Sequence, residues 1–193
     1  MPVRDAAATR ARILSAAIDE FAAYGLAGAR VDRIAETANA NKRAIYAYFG
    51  DKDTLFATAL HHVVGQVAEA VPLDVNDLPG YAGQLFDHLL EHPEAWRLGM
   101  WLVLERPPAG PDETDFYADK LAAIGGKRRT SVNGIPATDL IVIIIGLVRG
   151  WFMSPEGLLA ADGPPATAPE RIATHRAAIV EAVRRMTSST PAP

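Results

Sequence analysis

Apolar residues recur along this chain at intervals of three and four rather than two, the spacing of helix faces and not of strands. Ile13, Leu14, Ala17, Phe21 and Tyr24 form one such stripe, on a helix expected to end at Gly25. Val31, Ile34, Ala35 and Ala38 mark a short second helix, and Ile45 and Phe49 a third. Leu55, Phe56, Ala59, Leu60, Val63 and Val67 predict a longer one from Lys52 to about Val71. Apart from Pro2, no proline precedes Pro72, so nothing interrupts this first stretch. Beyond it prolines mark joints, and the spacing predicts helices at about 80–92, 94–105, 113–125, 137–153 and 169–186. Residues 106–114 and 154–168 read as exposed loops and 187–193 as a disordered tail.

The run Leu140 to Val148 is rich in β-branched residues and could be a buried strand. Its apolar character continues through Trp151, Phe152 and Met153, which is too long for a typical strand, and no partner strand is evident. It is also too short for a membrane span, which needs about 20 residues. The expected fold class is therefore all-α, with about nine helices.

Composition narrows the classes. With 193 residues, 49% hydrophobic and 22% charged, the chain has enough apolar surface for a core, which excludes wholesale disorder. It has no cysteine, hence no disulfide, thiolate metal site or cysteine nucleophile. No apolar stretch of signal-peptide length occupies the first twenty residues, so a soluble, cytoplasmic protein without a membrane partner is expected. The net charge of −4 argues at first against a nucleic-acid partner. Its distribution argues otherwise: residues 1–62 hold eight Lys/Arg against seven Asp/Glu, and residues 63–193 eleven against sixteen. Five bases (Arg30, Arg33, Lys42, Arg43, Lys52) and three acids fall within 30–52.

That segment carries the strongest chemical signal. A short helix ends near Ala38, Asn39 and Ala40 make a turn, and Asn41 is placed to cap the next helix. Asparagine tolerates the left-handed conformation such a turn needs. Two short helices so joined form a helix-turn-helix, whose second helix enters the DNA major groove. Ile45 and Phe49 would face inward, leaving Lys42, Arg43, Tyr46 and Tyr48 outward or sideways. Cations that release phosphate counterions or read guanine, and phenols that donate to phosphate, suit that groove. The alternative is that both tyrosines are core aromatics and the charges an ordinary solvated face.

From about Thr9 to Leu60 the chain closely resembles the DNA-binding domain of the TetR family of bacterial transcriptional regulators. The resemblance rests on Ala23-Tyr24-Gly25, Ile34-Ala35, Ile45-Tyr46, Tyr48-Phe49, and Lys52 followed by Leu55-Phe56, all in one register. It implies a helix-turn-helix domain over residues 1–52 and a helical ligand-binding and dimerisation domain over 53–186. It also implies DNA contacts from Lys42, Arg43, Tyr46 and Tyr48, and a phosphate clamp by Lys52. The sequence departs from the family where Asn39 replaces a turn glycine and Arg30 a hydroxyl cap; Arg30 is assigned a phosphate contact instead. Asn41 completes the candidate DNA-binding set.

In the larger domain the expectations are coarser. A twofold dimer would place two recognition helices about 34–36 Å apart on a pseudo-palindromic duplex operator, so a self-complementary apolar surface is needed. Candidates are Ile141, Ile144, Ile145, Val148 and Phe152 on one helix, and Ile172, Ile179, Val183 and Met186 on the last, where the resemblance also puts the homodimer interface. The alternative for the first of these is a monomer core. Phe86, Leu90, Trp96, Met100, Trp101, Leu104, Phe116 and Tyr117 could line an apolar pocket for a small-molecule effector, or could equally be core. Asp87, Glu91, Glu94 and Glu105 could select a cationic ligand if any points inward; the alternative is that most are simply solvated. His88 and His92 have the spacing of a metal pair but suggest no third ligand. No metal, cofactor or catalytic constellation is expected. The resulting expectation is a dimeric repressor released by a ligand. Its rival is a helical enzyme or carrier whose N-terminal module serves protein contacts.

Overall fold

The computed structural model describes residues 3–105, 131–161 and 163–188. Its helices are α1 (Val3–Gly28), α2 (Val31–Thr37), α3 (Lys42–Phe49), α4 (Lys52–Ala70), α5 (Leu78–Glu91), α6 (Pro93–Glu105), α7 (Ala137–Met153), α8 (Glu156–Leu159) and α9 (Pro169–Thr187). The strand alternative for Leu140–Val148 is thereby excluded, and the expected helices fall within two residues of their observed ends, save that α1 runs to Gly28 and not Gly25. A further exception is 113–125, which lies outside the described residues together with Phe116 and Tyr117. Among the described residues no helix is long and apolar enough to cross a membrane.

A short helix and a two-stranded hairpin were not anticipated. Within the expected loop 154–168, α8 makes a single turn. Ahead of α7, Ser131–Val132 (β1) pairs antiparallel with Ile135–Pro136 (β2). Asn133 (φ 49°) and Gly134 (φ 79°) form the two-residue turn between them. Both central residues have positive φ, the geometry for which Asn-Gly is the preferred dipeptide, so the signal was present in the sequence. The Asn133 amide also donates to the carbonyls of Met186 (3.0 Å) and Ser188 (2.6 Å), satisfying acceptors at the end of α9.

The helices form two compact units, one of α1–α4 and α6, the other of α5, the hairpin and α7–α9. This differs from a boundary at residue 52. The physical reason is in the first unit's packing: Leu98 of α6 is fully buried in the same core as α1–α4. That core is built on Phe21 and Phe56, whose rings meet edge to face at 5.1 Å. Ile13, Ile34, Ile45 and Leu55 are buried around them. Tyr24, expected on the buried stripe, is instead 50% exposed, its ring beneath the Arg33 guanidinium at 4.1 Å.

Gly25 divides α1. Its backbone (φ 69°, ψ −177°) is non-helical and lies in a region reached essentially by glycine alone. The turn that follows would leave amides unpaired, and Glu105 of α6 caps them. Its carboxylate accepts from Leu26 N–H and, at 3.1 Å, from Ala27 N–H. Trp101 donates its indole N–H to the Ala22 carbonyl at 3.3 Å. Trp101 and Glu105 thus serve the α1–α6 contact.

In the second unit α5 packs on α7 and α9. Gly83 allows the close approach, since a Cβ there would lie 3.0 Å from Val180 Cγ2. Arg176 Nε donates to both oxygens of Asp87 at 2.8 Å, so Asp87 is a paired carboxylate rather than a ligand selector. Phe86, a pocket candidate, has no exposed surface and packs on Trp151, Phe152 and His175. Of the remaining described pocket candidates, Leu90 is exposed, Leu104 is 67% exposed, and Trp96 and Met100 are half-buried. A groove of about 280 Å³ in the first unit is lined by Ser15, Asp19, His62 and Gln66 among others, and by Glu94, one of the carboxylates considered as a ligand selector. The dimer candidates divide similarly. Ile144, Val148, Ile179 and Val183 are at most 3% exposed in the single chain and have no surface left for a partner. Ile141, Ile145, Phe152, Ile172 and Met186 are half-buried.

His175 introduces a pH dependence. Its Nε2 is buried without a hydrogen-bond partner among the described residues. Burial, reinforced by the positive charge of Arg171, holds its pKa below the ordinary 6.5. As pH falls below 6.5 the unfolded chain takes up a proton that the folded chain refuses, so stability decreases. Urea midpoints at pH 7.5 and 5.5 should therefore differ, and His175→Phe should reduce the difference. Asp51 and Glu181, with pKa values held below 3.8 and 4.5, lose their contribution only at lower pH and do not confuse this window.

Candidate nucleic-acid interface

The interface is assembled by ending α2, starting and ending α3, and starting α4 at fixed angles. At the end of α2, Asn39 takes up the left-handed conformation (φ 47°) expected of it. Asn39 N–H donates to Glu36 O at 3.1 Å and Ala40 N–H to Ala35 O at 2.9 Å. These are the paired bonds of a Schellman turn, in which asparagine can stand for glycine. Arg12 of α1 ties the turn down from the other side, its Nε donating to Ala38 O at 3.2 Å. Asn41 then caps α3 as expected, Oδ1 accepting from Ala44 N–H at 2.8 Å.

On α3, Ile45 and Phe49 are buried, which fixes the opposite face outward. Lys42, Arg43 and Tyr46 lie on that face, Tyr46 being 49% exposed. Tyr46 is therefore not a core aromatic. Tyr48 is half-buried against the domain core with its ring 6.4 Å from that of Phe49, a partial correction to its outward placement. Gly50 (φ 81°) ends the helix, and Asp51 caps α4 by accepting from Thr54 N–H at 2.7 Å. That hydrogen bond holds the Asp51 carboxyl below its ordinary pKa.

The cations differ in availability. Arg30 stands exposed at the start of α2 in extended conformation and makes no side-chain cap there. Its backbone N–H is taken by Glu20 at 2.7 Å. Glu20 was missed in the sequence reading. Its carboxylate is only 8% exposed, and it also binds Arg33 at 2.6 Å. The signal was its place on the α1 apolar stripe, three residues after Ala17 and four before Tyr24, where a carboxylate must find partners. Arg33 is consequently engaged by the protein, bonded to Glu20 and to the Gly28 carbonyl at 3.1 Å. Lys52 is half-buried and donates to Ala29 O at 3.3 Å, tying α4 to the corner before α2. Two of its three N–H donors remain. Lys42 forms an ion pair with Asp32 of α2.

The arrangement is a helix-turn-helix with one cationic, phenol-bearing outer face, a geometry suited to the major groove. Comparison with known proteins agrees. Residues 13–59 match the family model for bacterial regulatory proteins of the tetR family, and residues 77–185 the Tetracyclin repressor-like C-terminal domain. The HTH-type transcriptional repressor SCO4008 of Streptomyces coelicolor is 40% identical over 162 residues, covering 81% of this chain and 84% of that protein. The HTH-type transcriptional repressor NicS of Pseudomonas putida is 36% identical over 93 residues, 45% of this chain and 44% of its own. The crystal structure of transcriptional regulator SCO4942 from Streptomyces coelicolor superposes with a TM-score of 0.77 at 38% identity, covering 92% of this chain and 97% of that one. With both of its halves matched in register and the recognition helix built as described, the chain belongs to the TetR family of bacterial transcriptional regulators.

Proposed function

We propose that this chain is a dimeric transcriptional repressor that binds a pseudo-palindromic duplex operator through α3 and is released from it by a small-molecule effector. The observation that carries the DNA-binding part is the outer face of α3, where Arg43, Tyr46 and Lys42 are exposed on a helix capped at both ends. Arg30 extends the cationic surface toward the adjacent backbone. The relatives named as repressors support the direction of control. Dimerisation is supported by apolar surface on the second unit: Val142 (63% exposed), Ile143 (39%) and Met153 (58%) on α7, and Leu158 (64%) on α8. These take the place of the buried candidates, with the half-buried Ile141, Ile145 and Phe152 beside them. Release follows if an effector binds one separation of the two recognition helices better than the DNA-competent one. Such control of transcription takes place in the cytoplasm.

Selection of genomic duplexes bound by the purified protein tests this reading. The bound fragments should share an inverted repeat whose half-sites are centred about one helical turn or a multiple apart. Sedimentation should show two chains per complexed half-site pair. Failure to enrich any sequence, at salt where duplex binding is measurable, would remove the proposal.

A further inference from the structure

The pairing of Lys42 with Asp32 changes what the recognition face can read. Lys42 opens α3, Asp32 sits in the first turn of α2, and both side chains are more than half exposed. An exposed ion pair adds little to stability, so folding alone gives small reason for it. Its effect on a polyanion is larger. If Lys42 stays on Asp32, the pair brings no net charge to the duplex. If Lys42 moves to a phosphate, it leaves an unpaired carboxylate at the DNA surface. Either way the pair releases about one counterion fewer than a free lysine would. A phosphate complements only the lysine, whereas the edge of a G·C pair complements both groups. Guanine N7 and O6 accept from Lys42, and the cytosine amino group donates to Asp32.

From this geometry we propose that Asp32 is a specificity-determining residue, which cancels the attraction of Lys42 for phosphate and commits the pair to base edges. The inference rests on the reading of α3 as the DNA-facing helix. Arg43 and Arg30, whose side chains have no protein partner among the described residues, then supply the phosphate and base attraction that Lys42 does not.

The test compares wild type with Asp32→Asn, Asp32→Glu and Lys42→Met on the selected operator and on an unrelated duplex, across a salt series. Asp32→Asn should steepen the dependence of log affinity on log salt by about 0.9 per protomer and tighten binding to the unrelated duplex about fivefold per protomer near physiological salt. The ratio of operator to unrelated affinity should fall accordingly. Asp32→Glu should stay near wild type. Lys42→Met should lower operator affinity, since it removes the donor to the base edge and leaves the Asp32 carboxylate unpaired at the duplex. If Asp32→Asn leaves both slope and ratio unaltered, the assignment to Asp32 is wrong. Arg43→Ala separates the two readings. A loss of operator binding there with a flat Asp32→Asn response overturns only the role of Asp32, and no loss in either overturns the DNA-facing helix itself.

Discussion

Gly25→Ala should destabilise the first unit by roughly 3 kcal/mol or more, through strain at a glycine-only conformation and overpacking together. The substituted Cβ would sit 2.7 Å from Trp101 Cε3 and 2.8 Å from Glu105 Oε1, closer than side chains tolerate. The Trp101 ring cannot retreat without giving up its hydrogen bond to Ala22, and Glu105 cannot without uncapping Leu26 and Ala27. Thermal unfolding should show a midpoint lowered by about 10 °C for a chain of this size. Operator binding should fall with it, because the same corner of α1 leads into α2. A midpoint within a degree or two of wild type would mean that α1 can straighten through Gly25, and the account of this joint would fail.

Arg43→Ala is the second large effect, and it acts on binding without acting on stability. Arg43 is exposed on α3 next to Lys42, and its truncation leaves no cavity and breaks no observed bond. A bidentate arginine to guanine is worth about 1–3 kcal/mol, so each half-site should weaken by between fivefold and two hundredfold. Fluorescence anisotropy on the selected operator measures this, and the unfolding midpoint measured beside it should not move. Lys42→Met should cost less, since Asp32 already offsets its charge. Should the two substitutions rank in the opposite order, Lys42 and not Arg43 is the principal cation of the recognition helix.

Much of this architecture was open to reading from residue spacing, and particular residues show why. The stripe Ile13, Ala17, Phe21 and the pair Ile45, Phe49 point to their buried faces through period alone, and the structure buries them all. Asn39 and Asn41 could be placed because a left-handed residue and an N-cap are requirements of two neighbouring backbones, met by very few side chains. The engagement of cations could not be read this way. Arg30, Arg33, Lys42, Arg43 and Lys52 look alike in a one-dimensional charge count. Yet Arg33 is held by Glu20, Lys42 by Asp32 and Lys52 by the Ala29 carbonyl, partners from 10 to 23 positions distant.

The second unit shows the same limit for apolar residues. A helix that is apolar nearly all round, such as α7, does not say which side meets its own domain and which is left over. Ile144 and Val148 turned out to face inward and Val142 and Met153 outward. That choice belongs to α5 and α9, which cover one side of α7. Local backbone preference and the period of apolar residues act within a few positions, so the chain alone settles where its helices begin, end and turn. Which carboxylate neutralises which cation, and which apolar face stays uncovered, depends on elements far apart in sequence. Only their packing decides it.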